Sequence, residues 1–410
     1  MTNKTYCKYP FHQLALKDFR NGELISAWPC CTMGNQIHET TEDNQNRLGI
    51  ENVNLLTPQE IFDHPRMVEL RSNLIAGVRD PACKVCWNQE DRGITSFRQF
   101  SHKTEDDIIT TPNLEVIDLT HSNICNLRCR MCTPASSNLL MIDHQYFKNN
   151  NLLDTLKRVT GDRWHESFPH STERSIQWQW LINNTKQIKY LKMSGGEPFF
   201  DTKVLELLKI YVQNNHAKDT TLMFHTNATC FTDEVIDLIS HFKRNDHSLS
   251  IDGTNKVYEY IRYPATFSEL NTSLNNYFSK LKNLPKFTQF TMVVSALNVL
   301  NIAEYIDWCC QFTPNPCFSF AEIYTPGRGI ALRHLPRGLL GLAKHRITKY
   351  QSDPRFFIAI SNLIAQIDDA ITNNVENKKL MLDEINLFDL SRNQSFVDFL
   401  DFDITEWLTK

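Results

Sequence analysis

After residue 113 the hydrophobic positions switch between two periods. Short apolar runs at 114–120, 188–193, 221–226, 248–251, 290–295 and 317–323 read as strands. Between them apolar residues recur at helical spacing over 135–148, 201–215, 232–243, 266–281 and 302–312. Strand, loop and helix in this alternation predict a parallel sheet with crossover helices. Six such units, closed part-way, predict an α/β fold built as a partial (β/α)6 TIM-like barrel. The stretch 149–187 has little pattern and carries the aromatics Trp164, Trp178 and Trp180. Beyond Pro326-Gly327-Arg328-Gly329 the pattern is helical to residue 410.

Residues 1–112 follow another rhythm. A turn at Asn21-Gly22 between apolar runs predicts a small β-hairpin ending at Pro29-Cys30-Cys31. A polar loop over 36–47 follows, then a helix near 58–76, then Asp80-Pro81-Ala82-Cys83-Lys84-Val85-Cys86-Trp87. The expected organisation is a small cysteine-rich α+β module at 1–112, the barrel at 113–326 and a helical C-terminal extension at 327–410.

Charge narrows the function. Lysine and arginine total 43 against 47 acidic residues, a formal net charge of −4. That excludes a dominant electrostatic grip on nucleic acid. No run approaches the roughly 20 apolar residues of a membrane helix, and the N-terminus lacks a signal peptide's apolar core. The expected compartment is the cytoplasm, where thiols stay reduced. The 12 cysteines then point to metal or catalysis rather than disulfides.

Three of them fall in one loop directly after the first barrel strand, Cys125-Asn-Leu-Arg-Cys129-Arg-Met-Cys132. Thiolates at such spacing can wrap one cluster. Structural zinc normally takes four ligands, so three suggest a site where something else completes the shell. The second strand ends in Ser194-Gly195-Gly196-Glu197-Pro198. Adjacent glycines permit close backbone approach, and Glu197 offers an acceptor for an ammonium group. Both motifs follow strand C-termini, where parallel α/β folds place ligands.

Together these two motifs resemble the radical S-adenosylmethionine (SAM) superfamily, over about 113–326. The resemblance implies that Cys125, Cys129 and Cys132 hold a 4Fe–4S cluster whose open iron takes the amino and carboxylate groups of SAM. One electron then cleaves SAM to methionine and a 5′-deoxyadenosyl radical, which abstracts a substrate hydrogen. It further implies that Met131 lies near the adenine and that Gly195, Gly196, Glu197 and Pro198 surround the methionyl amino group. Thr226 and Asn227 match a ribose-contacting strand end. Ser250, Asp252 and Arg262 match the segment that binds ribose and the SAM carboxylate, with Ser250 and Arg262 otherwise a solvated pair. The segment 294–298 matches the fifth strand end. Ala228 departs from the glycine often found there.

Cys7, Cys30, Cys31, Cys83 and Cys86 form a second group. Four thiolates suit zinc. The order of hairpin, helix and Cys-x-x-Cys-Trp also resembles the auxiliary-cluster modules called SPASM and twitch domains, although those often follow the barrel. This implies a second 4Fe–4S cluster on Cys7, Cys30, Cys83 and Cys86, with Cys31 able to replace Cys30. Cys230, Cys309, Cys310 and Cys317 sit in apolar contexts and read as core. Tyr258, Tyr260, Tyr263 and Tyr324 are candidate substrate contacts but more ordinarily packing, and His225 is a weak candidate base.

The expected partners are a peptide or protein substrate, or else a small molecule such as a sugar or nucleotide, and a one-electron donor such as flavodoxin or ferredoxin. A viperin-like nucleotide reaction and a non-enzymatic electron-transfer or zinc protein are the alternatives.

Overall fold

The strands of the barrel line up in space in the order in which the chain makes them. The structure, a computed structural model, describes residues 5–20, 23–30, 50–91, 93, 95–100, 111–161, 164, 170–282, 288–323 and 328–410. Cys31, Tyr324, the Asn21-Gly22 turn and the polar loop at 36–47 lie outside the described residues.

Strands β1 (Gln13–Arg20) and β2 (Glu23–Trp28) form an antiparallel hairpin. Then come β3 (Val116–Thr120), β4 (Tyr190–Ser194), β5 (Thr221–Thr226), the two-residue β6 (Arg244–Asn245), β7 (Ser248–Ser250), β8 (Thr288–Val294) and β9 (Pro316–Glu322). The sheet runs β2-β1-β3-β4-β5-β7-β8-β9, with β6 off the path beside β5. Every pairing from β1 to β9 is parallel. Sequential winding in one direction is the connectivity of a barrel, not of a doubly wound sheet. β2 and β9 do not pair, so the barrel is partial.

All six expected strands are present. The hairpin is present too, but it does not stand apart. β1 pairs in parallel with β3, Ala15 opposite Asp118, and lengthens the barrel sheet. Its run Leu14-Ala15-Leu16 is fully buried, as a sheet-interior strand must be. Helices Thr202–Gln213, Asp233–Ser240, Phe267–Lys280 and Ile302–Cys309 follow the expected segments. The first expected helix starts later, at Leu140, because residues 133–138 turn back onto the cysteine loop. The stretch at 149–187 contains two helices, Leu153–Thr160 and Ile176–Asn183. Leu156 and Val159 of the first join Trp164 in a small second core.

Helix Phe357–Thr372 lies on β9, where Gln366 donates to the Phe320 carbonyl at 3.1 Å. Helix Lys378–Arg392 packs instead on Leu140–Asn149 and Leu153–Thr160, close to the cysteine loop. Among the described residues no helix is long and apolar enough to cross a membrane.

Candidate active site at the rim of the barrel

The two sequence motifs meet as a continuation of the β3–β4 ladder. The His121 amide donates to the Ser194 carbonyl at 3.0 Å, Gly196 to Ser122 at 2.7 Å and Glu197 to Ile124 at 2.9 Å. Glycine is required at both positions. Gly195 has φ +133°, and a Cβ there would lie 2.2 Å from the Ser122 carbonyl oxygen; at Gly196 it would lie 1.9 Å from that of Ile124. The Ser122 hydroxyl donates to Asp201 at 2.7 Å. Asp201 caps the helix Thr202–Gln213, accepting from the Lys203 amide at 2.9 Å.

The cysteine loop is braced on every side. Asn138 accepts from the Cys125 amide at 3.1 Å, and the Ser137 hydroxyl donates to the Leu127 carbonyl at 2.6 Å. The amides of Arg128 and Arg130 donate to the carbonyls of Tyr263 and Ile261 at 2.6 and 2.9 Å. Arg130 is fully buried and lies 3.6 Å from the centre of the Tyr260 ring. Its guanidinium reaches Asp389 at 2.5 Å, and Asp389 also accepts from the Tyr260 hydroxyl at 2.8 Å. Arg328 donates to the Arg130 carbonyl and pairs with Glu384. Asp143 accepts from Arg392 and Ser391 at 3.1 and 2.7 Å and faces Arg128 at 3.4 Å. Helix Lys378–Arg392 thus locks the loop through buried ion pairs.

Cys129 is buried, whereas Cys125 and Cys132 are half-buried. Cys129 donates to Cys132, which raises the first thiol and lowers the second. Burial, then the neighbouring Cys129 and Glu197, push Cys125 up to about 12. Arg262 lies beside Cys129 and Cys132 and favours their thiolates. Burial pulls Arg262 down, but Asp252 and the two thiolates outweigh it. Among the described residues no three His, Cys, Asp or Glu side chains converge on a single metal ion as they stand. Three thiols from one short loop, faced by a buried guanidinium, nevertheless are the donor chemistry of an iron–sulfur cluster.

Glu197 is buried and links β4 to β5. Its carboxylate accepts from the Thr226 hydroxyl and the Asn227 amide, both at 2.6 Å, and from the Phe199 amide at 3.2 Å. Burial raises it to about 7 against these hydrogen bonds. Asn227 donates to Asn126 at 2.8 Å, which ties β5 to the cysteine loop. Ala228 sits at φ +63°, the left-handed region that glycine fills at no cost. Asp252 accepts from Arg262 at 2.8 and 2.9 Å and from the Val293 amide at 2.8 Å. Arg262 is therefore buried, not part of a solvated pair. Ser250 and Met131 are half-buried, and Pro198 is buried. Asn298 donates to the Asp252 and Val293 carbonyls at 3.0 and 2.9 Å and so joins β7 to β8.

Residues 119–309 match the Radical SAM superfamily. The barrel is a radical SAM domain. Its cofactors are a 4Fe–4S cluster and S-adenosylmethionine. No curated protein matches the chain. Among solved structures, Streptococcus suis SuiB bound to S-adenosylmethionine is similar at 15% identity and TM-score 0.37, covering 72% of this chain and 57% of its own. SuiB bound to its precursor peptide SuiA gives 15%, 0.37, 66% and 50%. Histidine-tagged anSMEcpe with bound AdoMet gives 15%, 0.36, 65% and 61%. The chain spans less than two thirds of each.

Outside the matched segment, Cys7, Cys30, Cys83 and Cys86 line one cavity with Phe97 and Arg98. Cys83 and Cys86 are set by Asp80, which caps the turn before them. Asp80 accepts from the Ala82 amide at 2.9 Å and from Arg66 at 2.6 Å, while its carbonyl takes the Trp87 indole at 2.8 Å. Arg98 pairs with Glu90 at 2.6 Å and donates to the Tyr6 carbonyl at 2.8 Å. Burial pushes Cys7 up to about 12. Cys83 is raised by burial and then by the charges of Cys7, Cys30 and Cys86.

The remaining cysteines do not behave alike. Cys309 is buried as expected, but Cys230 and Cys310 are half-buried and Cys317 is exposed. Cys317 alternates with buried Pro316 and Phe318 on β9, so its short apolar run is amphipathic rather than core. Tyr258 and Tyr260 are fully buried packing residues. His225 is half-buried, and burial, Lys192 and Lys17 lower it to about 4. Sequence reasoning missed Arg128, Arg130, Asp143 and Asp389. The arginines are interleaved with the cysteines, which is a usable signal. The aspartates carry none.

Proposed function

We propose that this protein is a radical SAM enzyme that abstracts a hydrogen from a peptide or protein side chain. The observation that carries the reading is the shared ladder between the cysteine loop and Gly195-Gly196. It joins the loop that carries three thiols to the Gly195-Gly196 backbone at the C-terminal rim of the strands, with the Ser122 and Ile124 carbonyls in the space that side chains would fill. The proposed cluster ligands are Cys125, Cys129 and Cys132. When bound, the cluster supplies one electron that cleaves SAM to methionine and a 5′-deoxyadenosyl radical. In this reading Gly195 and Gly196 let the cysteine loop pack directly on the end of β4, Met131 would contact the adenine, and Thr226, Asn227 and Ser250 would surround the ribose. Arg262, oriented by Asp252, faces the carboxylate. Glu197 draws the ends of β4 and β5 together and keeps acceptor capacity for the amino group.

The N-terminal cysteines support an auxiliary cluster on Cys7, Cys30, Cys83 and Cys86, within a 1–112 module whose hairpin is continuous with the barrel sheet. The proposed division keeps 113–326 as the barrel and 327–410 as the helical extension. A small-metabolite substrate is the second reading, favoured by the charged pair Asp118 and Lys192 across β3 and β4.

The test is iron and sulfide content after anaerobic reconstitution, with 5′-deoxyadenosine measured under reducing conditions. About eight irons per chain is the expected result. About four would assign the N-terminal cysteines to zinc or structure. Absence of 5′-deoxyadenosine would overturn the enzyme reading.

A further inference from the structure

The barrel has a second mouth, at the end opposite the rim. Gln13, Val116 and Tyr190 share the first rung of the parallel ladder, where β1, β3 and β4 begin. Strand β3 runs from Val116 to Thr120, and at about 3.3 Å per residue its two ends lie about 13 Å apart. A space of about 300 Å³ opens at this mouth, the lower end of the range for small-molecule sites.

Three polar side chains line this space without a protein partner. Gln13 is 8% exposed, yet its amide makes no hydrogen bond among the described residues. The half-buried Tyr190 hydroxyl makes none among them either. Lys8, also half-buried, forms no ion pair among the described residues. A buried amide without a partner is costly, and an ammonium in a cavity is held best by an anion. The neighbouring groups are already engaged. Asp118 and Lys192 pair at 3.1 Å, and Asp118 also pairs with Lys17. His12 Nδ1 hydrogen bonds with the Lys8 carbonyl at 2.9 Å. One cation, one amide and one hydroxyl thus converge unused.

Shape and charge narrow the ligand. Tyr9 and Phe97 stack with ring centres 4.7 Å apart and form an aromatic wall. The same two rings line the cavity of the four N-terminal cysteines, but Lys8 does not. The cation of that cavity is Arg98, whose charge acts on Cys7 more than that of Lys8. Asp118 lines the mouth as well, and its charge opposes a dianion. A single carboxylate can accept from an ammonium, an amide and a hydroxyl together.

We propose that the mouth opposite the rim is a binding site for a small monocarboxylate with an apolar or aromatic body. Lys8 pairs with the carboxylate, Gln13 and Tyr190 donate to it, and the Tyr9–Phe97 wall packs on the body. The site is separate from the reactive rim, and it does not depend on the radical SAM reading.

Isothermal titration calorimetry of the reconstituted full chain with 3-phenylpropionate and with 3-phenylpropionamide tests it. Wild type is expected to bind the acid at least about tenfold tighter than the amide. Lys8→Met should weaken the acid about tenfold or more, and Gln13→Leu several-fold. Lys8→Arg should hold it within a few-fold of wild type, which separates a lost charge from a lost fold. Iron content should be the same in both Lys8 variants as in wild type. No binding of the acid by wild type, equal binding of acid and amide, or Lys8→Met binding like wild type overturns the proposal. So does Lys8→Arg as weak as Lys8→Met. Iron lost in Lys8→Met would assign the ammonium to the thiol cavity and overturn it too.

Discussion

The two cysteine groups are built in opposite ways. Cys125, Cys129 and Cys132 come from one eight-residue stretch that is folded against two strand ends and a distant helix. Cys7, Cys30, Cys83 and Cys86 come from three separate segments and meet in one cavity. In the first group the ligand spacing is local and the scaffold is remote. In the second the scaffold is local, with Asp80 holding the Cys83–Cys86 turn, and the assembly is remote. A local ligand set can gather metal as soon as its loop exists. On the proposed ligation, a dispersed set needs the β1–β2 hairpin and the Cys83 turn docked first, so metal binding there is coupled to folding.

Reciprocal removal of the two groups gives the largest effects and is the most direct way to break this comparison. Cys129→Ala should abolish 5′-deoxyadenosine formation while the N-terminal iron is retained. Cys83→Ala should cut iron by about half and spare SAM cleavage. Cleavage that survives Cys129→Ala would mean the rim loop is not the reactive site.

Asp389→Ala sharpens the contrast by attacking the remote scaffold of the local ligand set. It leaves Arg130 buried without its carboxylate, so the expected loss is about 3–5 kcal/mol, read by chemical denaturation. The rim cluster should load less completely than in wild type while the N-terminal cluster is unaffected. Equal loss of both clusters would show that the chain fails globally and that the two groups are not independent.

Gly196→Ala is the smallest change. Its Cβ meets the Ile124 carbonyl, so the β3–β4 continuation must spread, at a cost of about 1–3 kcal/mol. SAM affinity, measured by equilibrium dialysis, should fall while iron content holds. Unchanged affinity would detach the β3–β4 junction from SAM binding.

The alternation of strand and helix after residue 113 was readable because each element has one dominant period. The cysteine loop was readable because its ligands are adjacent. The docking of β1 on β3 was not. Leu14-Ala15-Leu16 fits a free hairpin and a buried parallel strand equally well, and pairing across about 100 residues leaves no local trace. Of the helices in 149–187, Leu153–Thr160 buries its apolar face against helix Lys378–Arg392 in a small second core, whereas Ile176–Asn183 places Trp178 and Leu181 in the main core; neither partner is local in sequence. At the site, Arg128 and Arg130 were visible as charges between cysteines, but their partners Asp143 and Asp389 lie on helices with no motif. Cys317 misled because its apolar neighbours alternate in direction on β9, with only one face of that strand buried.

The pairing of Arg130 with Asp389 also fixes an order of events during synthesis. The cysteine loop leaves the ribosome early, whereas its locking helix lies 259 residues downstream. Until residue 389 has emerged, Arg130 has no carboxylate to turn toward, and the loop lacks the buried ion pair that holds it. The loop is thus among the first parts of the rim to be made and the last to be fixed. A nascent chain stalled anywhere between the barrel and helix Lys378–Arg392 would hold every cysteine of both groups yet lack the clasp on the loop.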